Sequence, residues 1–201
     1  MATIHHTTLT PGKLELLEAW LPRQRWCAAK GRSPRLRKLG GYRLDDPAGE
    51  VGIETLLVQT PDGPTLQVPV TYRGAPLDGA ESLLIGTMQH SVLGERWVYD
   101  AVGDPIYVAA LTDAIRSAGH EAPQFIDIDG ERVTRVPTVL VRGSGLRTDA
   151  PAGSISRATV LRVPGAGHPP TDSALIAIGT LTGTWAGQCE PQALATLGYF
   201  V

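Results

Sequence analysis

Apolar residues first recur at helical spacing. Leu14, Leu17 and Leu21 fall three and four residues apart, and Leu16 and Trp20 widen the same face. Thr10-Pro11 reads as a hydroxyl N-cap followed by proline at the first helical position, and Pro22 closes the helix. The period then changes. Tyr42 and Leu44 lead into the turn sequence Asp45-Asp46-Pro47-Ala48-Gly49, and Val51, Ile53 and Leu56-Leu57-Val58 run to a second turn at Pro61-Asp62-Gly63-Pro64. Leu66, Val68, Val70 and Tyr72 alternate, which predicts a strand with one buried and one wet face. Leu83 to Met88 predicts a fourth strand. The expectation is a helix over 11–21 lying on an antiparallel sheet built from segments near 36–45, 50–60, 65–73 and 83–90.

Asp104-Pro105 repeats the cap-plus-proline signature ahead of a second helix, Ile106 to Ala118, ended by Gly119. Beyond it, Phe125–Ile128 and Val133–Val141 flank Asp129-Gly130, a two-residue hairpin signal. Thr159–Val163, Leu175–Trp185 and Ala193–Val201 read as further strands, and 143–154 and 164–172 as loops. The fold class is α+β. The division expected is 1–100, helix on sheet, and 101–201, a helix plus antiparallel β subdomain packed on it.

A chain of 201 residues buries enough surface to need no metal or disulfide for its core. The net charge of −2 gives no global pull towards nucleic acid or an anionic membrane. Met1 to His6 has neither the basic start nor the apolar core of a signal peptide, and no apolar run approaches the ~20 residues of a membrane span. A cytoplasmic location follows as an expectation. Cys27 and Cys189 are far apart, so two reduced thiols are expected, with a long-range disulfide as the alternative.

Charge is unevenly placed. Arg23, Arg25, Lys30, Arg32, Arg35, Arg37 and Lys38 make up seven of the 18 basic residues with no acid among them, leaving 11 basic against 20 acidic elsewhere. With Trp20 and Trp26 able to stack on a sugar or base, this run can face an acidic protein, a phosphorylated ligand or, least favoured, nucleic acid. The plain alternative is a solvated loop with its tryptophans in the core. His90, Asp100 and Asp104 can be drawn together as an acid–base or metal set, although Asp104 is explained as a helix cap and Asp100 as a turn residue. Arg96-Trp97-Val98-Tyr99 is either an exposed aromatic anchor or core at strand spacing. The candidates are thus Arg23, Arg25, Trp26, Lys30, Arg32, Arg35, Arg37 and Lys38, and more weakly His90, Trp97 and Asp100.

Other motifs fail. Gly12-Lys13-Leu14 lacks the rest of a phosphate loop, Gly143-Ser144-Gly145 lacks the spacing of a nucleophile elbow, and Gly165-Ala166-Gly167 breaks at His168-Pro169-Pro170. No zinc-ligand spacing occurs, so no metal or cofactor is expected.

Trp20-Leu21-Pro22-Arg23-Gln24-Arg25-Trp26, continuing to Lys30-Gly31-Arg32, resembles the opening signature of the N-terminal cap of actinobacterial maltokinases. Val68 to Leu77, Leu84-Ile85-Gly86-Thr87 and Arg96 to Asp100 resemble its later half, in the same order and spacing over roughly residues 15–118. The chain departs from the pattern at Cys27-Ala28-Ala29, where the family has an aromatic residue and a glycine. The resemblance implies a cystatin-like helix-on-sheet unit that precedes kinase lobes. Kinases of that group need a strand lysine on the nucleotide, a catalytic-loop aspartate, and asparagine plus aspartate on magnesium. Lysine is absent from residues 39–201, asparagine is absent throughout, and no His-x-Asp loop occurs.

The reading is a free-standing cap-like protein without kinase activity, with a protein partner and a place in α-glucan, trehalose and maltose-phosphate metabolism. The alternative is an enzyme or small-molecule binder whose basic loop holds an anionic or phosphorylated sugar.

Overall fold

The computed structural model describes residues 2–4, 8–27, 35–61, 63–128, 131–146, 156–166 and 175–200. Two short strands, β1 (Ala2–Ile4) and β2 (Leu9–Thr10), precede helix α1 (Lys13–Trp20). The cap of α1 is Gly12, not Thr10, and Thr10 instead pairs with Gln89 at the sheet edge. The Glu15 side chain accepts from the Gly12 N–H at 3.1 Å, supplying half of a capping box. Pro22 sits inside a 3₁₀ turn, Leu21–Arg23, that ends the helix.

The alternating segments become β3 (Arg37–Leu44), β4 (Gly52–Gln59), β5 (Thr65–Arg73), β6 (Leu84–His90) and β7 (Gly94–Asp100). With β2 they form an antiparallel sheet of order β2-β6-β7-β5-β4-β3. The sheet is larger than the expected meander because Trp97 and its neighbours form a strand inserted between β6 and β5. Helix α2 (Pro105–Arg116) starts where the sequence places it, with Asp104 accepting from the Ile106 N–H at 3.0 Å. Ala118, at φ +54, takes the left-handed position at its end, one residue before Gly119.

The C-terminal part contributes β8 (Gln124–Ile128), β9 (Glu131–Arg135), β10 (Val139–Gly143), β11 (Ser156–Val160), β12 (Leu175–Trp185) and β13 (Gln188–Phe200). β8 and β9 pair antiparallel with Ile128 opposite Glu131, as the hairpin signal requires, and β1 joins β8 in parallel. The Asp129-Gly130 turn itself lies outside the described residues. The single strand expected over 133–141 is two strands in different sheets, because β10 instead pairs with β12 in the order β10-β12-β13-β11.

The six-stranded sheet is covered on both faces. Leu56, Val58, Leu66, Val68 and Val70 meet Leu17, Trp20 and Leu21 on one side. Tyr42, Leu44, Ile53 and Leu57 meet Tyr107, Leu111 and Ile115 of α2, with Val139, Ile178, Leu181 and Leu194 of the four-stranded sheet, on the other. Each such aliphatic or aromatic burial is worth about 1.5–3 kcal/mol, so the two faces contribute comparably.

The wet face expected of β5 is therefore absent. Gln67, between Leu66 and Val68, is buried: its side-chain amide donates to the carbonyls of Leu161 at 3.0 Å and Leu194 at 2.8 Å. Its backbone N–H donates to the Arg162 carbonyl at 2.7 Å, so residues 161–162 occupy the part of the β5 edge that β7 leaves open. Thr71, also on that face, donates to Asp104 at 2.8 Å. Polar residues at alternate positions here mark hydrogen bonds to a second layer.

Candidate functional site

The basic run leaves α1 through the 3₁₀ turn and enters β3. Arg23, Arg25, Arg35 and Arg37 are exposed; Lys30 and Arg32 lie outside the described residues. Leu36 is buried and anchored by its N–H donating to Glu18 Oε1 at 2.8 Å. Arg37 donates to Gln59 Oε1 at 2.7 Å, an exposed contact that leaves the guanidinium facing solvent.

Trp20 lies in the core and Trp26 packs at its margin, between the core and this surface. Trp20 is buried, and Trp26 meets it edge-on at 5.8 Å between centroids. One face of Trp26 is covered by the Arg162 guanidinium, 4.5 Å from the ring centroid. Cys27 is buried beside them, Cys189 is exposed, and both thiols are free.

Lys38 turns away from the run. Its Nζ lies 3.4 Å from Glu54 Oε1, and Lys13 at the start of α1 pairs with Glu54 Oε2. Tyr72 also donates to Glu54 Oε2, at 3.1 Å, and Lys13 Nζ lies 5.2 Å from the centre of the Tyr72 ring. Arg43 reaches the same corner: a Cβ on Gly52 would meet Arg43 Nη2 at 3.2 Å and Tyr72 at 3.4 Å.

The cause is geometric. A helix of eight residues is about 12 Å long and cannot cover strands of roughly 26 Å, so charged side chains close the rest of the face. Burial alone would raise the Glu54 pKa, but Lys13, Lys38 and Arg43 outweigh it and bring it to about 2. Burial pushes the Lys13 amine down despite Glu54, and burial followed by the Glu54 charge pushes the Tyr72 phenol well up.

The weaker candidates do not assemble. His90 closes the β6–β7 hairpin, its Nδ1 accepting from Val92 N at 3.2 Å and Leu93 N at 3.0 Å. Trp97 is half-buried in β7, between the exposed anchor and the core position weighed for it. Asp100 ends β7 at the N-cap of a 3₁₀ turn, Ala101–Gly103, as a turn residue would, and is also buried and paired with Arg162 Nη2 at 2.5 Å. Asp104 is fully buried, holding Arg73 through two hydrogen bonds while capping α2. Burial would raise its pKa; the bonds from Arg73, Thr71 and Ile106 bring it below the usual carboxylate range. Among the described residues no group of three or more His, Cys, Asp or Glu is placed to hold a metal ion, and no helix is long and apolar enough to cross a membrane.

Sequence reasoning missed Lys13, Arg43, Glu54 and Tyr72. The available signal was Glu54, an acid inside an otherwise apolar strand pattern, which requires a cationic partner when buried. A groove of about 460 Å³ between α2 and the β3–β4 turn, floored by Leu44, Ile106 and Ala110, contains none of the candidate residues.

Residues 20–104 match the family model described as the maltokinase N-terminal cap domain. The resemblance read from the Trp20–Trp26 and Val68–Leu77 segments is thereby shown over that span, which ends on the residue that caps α2. No curated protein matches the chain.

Proposed function

We propose that this chain, similar over residues 20–104 to the maltokinase N-terminal cap domain, is a non-catalytic interaction or regulatory protein connected with maltose, trehalose and glycogen metabolism. Its partner-facing surface is the basic run. The observation that carries this reading is the exposure of Arg23, Arg25, Arg35 and Arg37 on a stretch without a carboxylate of its own. Such a surface fits an acidic protein face.

The antiparallel sheet with α1 across it supports a cystatin-like description of the cap. We also propose that residues 1–100 and 101–201 are two subdomains packed together. The contacts of Gln67, Thr71 and Asp100 with residues 104, 161, 162 and 194 support such a packed arrangement. A cytoplasmic location accords with the reading.

Partners held by exposed charges lose affinity as salt screens them, over a Debye length of about 8 Å at 0.15 M. The test is a pull-down from the native cell with wild type and an Arg32→Glu, Arg35→Glu, Arg37→Glu variant, at about 50 and about 300 mM salt. Capture should fall with salt in wild type and be lost in the variant. A folded variant that keeps every partner at both salts would show the run to be a solvated loop.

A further inference from the structure

The corner made by Lys13, Lys38, Arg43, Glu54 and Tyr72 carries more positive charge than its own carboxylate offsets. Among the described residues three cations surround one ionised carboxylate, which leaves an excess of two charges at the end of a largely buried face. The oxygens of Glu54 are engaged, Oε2 by Lys13 and Tyr72 and Oε1 by Lys38. Each ammonium has three N–H donors and gives one to Glu54. Arg43 Nε is buried and has no hydrogen-bond partner among the described residues. Lys13 and Lys38 are 29% and 39% exposed in their side chains, so the donors can be reached from solvent. Gly52 contributes its missing side chain: a Cβ there would crowd Arg43 Nη2 and Tyr72.

We propose that this corner is a binding site for a dianionic phosphomonoester, held by Lys13, Lys38 and Arg43 while Glu54 keeps the lysines in position. A phosphate dianion matches the excess of two charges, and its oxygens accept from donors that Glu54 leaves free. A monoanion offsets half of that excess. Neutral sugars offer no charge and bind here no better than water. The site shares only Lys38 with the basic run, so it stands apart from the partner surface proposed above.

The test is isothermal titration of the full chain with inorganic phosphate and with a hexose monophosphate, at constant ionic strength set with sodium chloride. Unphosphorylated hexose is the control. Saturable binding of both phosphates and none of the hexose is expected, and tighter binding of the ester identifies a phosphorylated sugar, rather than free phosphate, as the occupant. Arg43→Gln and Lys13→Met should each weaken binding by about tenfold, and Lys13→Arg should restore most of it. Far-UV circular dichroism establishes that each variant is folded; should Lys13→Met unfold, Arg43→Gln alone decides.

An Arg23→Glu, Arg25→Glu variant should bind phosphate within about twofold of wild type, because those arginines lie outside the corner. Absence of saturable phosphate binding overturns the site. So does phosphate binding that Arg23→Glu, Arg25→Glu abolishes and Arg43→Gln leaves intact. That second outcome would place the anion on the basic run and leave the partner surface standing, whereas loss of salt-sensitive capture with phosphate binding preserved would do the reverse.

Discussion

The guanidinium carbon of Arg162 sits 4.5 Å from the centre of the Trp26 ring. The contact joins the basic run to a segment more than 130 residues further along the chain, and Asp100 of β7 pairs with the same guanidinium. Trp26 is consequently fixed by the C-terminal part of the molecule, and so is the path of the run where it leaves α1. Residues 161 and 162 also fill the open part of the β5 edge, so Arg162 is held by its backbone as well as by its side chain.

Replacing Arg162 with alanine should cost about 3–5 kcal/mol, since it leaves Asp100 buried without its cation and uncovers Trp26. Urea denaturation followed by tryptophan fluorescence measures both effects, the second as a red shift of the folded emission. A cost below about 1 kcal/mol would mean that the pair behaves as a surface ion pair.

The 201-residue chain should not transfer phosphate from ATP to maltose or another sugar. No lysine follows Lys38 and no asparagine occurs, so neither a nucleotide-positioning lysine beyond residue 38 nor the usual magnesium asparagine is present in this sequence. A coupled assay of sugar-dependent ADP release decides this, and turnover that survives repurification would contradict it.

Much of the fold was legible because local signals were strong. Leu17 and Leu21 are buried against the sheet as their spacing requires, and Asp104-Pro105 opens α2 at the expected residue. The Leu175–Trp185 strand has the boundaries read from its sequence. What could not be read was long-range. Gln67 looked like a solvent position because its acceptors, Leu161 and Leu194, lie about a hundred residues away and are main-chain carbonyls that any residue supplies. The charged corner escaped for a related reason: Lys13, Lys38, Arg43 and Glu54 sit on three separate elements. The basic run was visible because its charges are clustered in sequence, yet the contacts of Lys38 and Trp26 depend on Glu54 and Arg162, which lie on other segments.

Ala118→Gly should stabilise the protein by about 0.5–1 kcal/mol. Ala118 has φ +54 at the end of α2, a conformation in which a Cβ crowds the following carbonyl and glycine carries no such penalty. Gly119, by contrast, has its N–H bonded to the Ala114 carbonyl at 2.9 Å and no positive φ. Thermal unfolding of Ala118→Gly against wild type reads the difference. A lower melting temperature would mean that the unfolded chain gains more freedom from the new glycine than the folded chain gains relief.

Stability should depend on Glu54 in acid. Its folded pKa of about 2 lies below the ordinary value of 4.5, because Lys13, Lys38 and Arg43 overcome the burial that would raise it. Between these values the unfolded chain binds the proton and the folded chain does not, so stability falls as pH falls. The contribution is fully present above about pH 4.5, declines through the window and is gone below about pH 2. A shift of this size corresponds to on the order of 3 kcal/mol. Glu54→Gln removes the titrating group and leaves three cations without their carboxylate, so it should be destabilised at pH 7 by a comparable amount. Other carboxylates titrate in the same window, so the measurement is the difference between wild type and variant in urea denaturation from pH 7 to pH 2. That difference should shrink steadily below pH 4.5 and nearly vanish at the acid end. A difference that stays constant over the whole range would mean that Glu54 holds Lys13 and Lys38 through contacts its protonated form makes equally well.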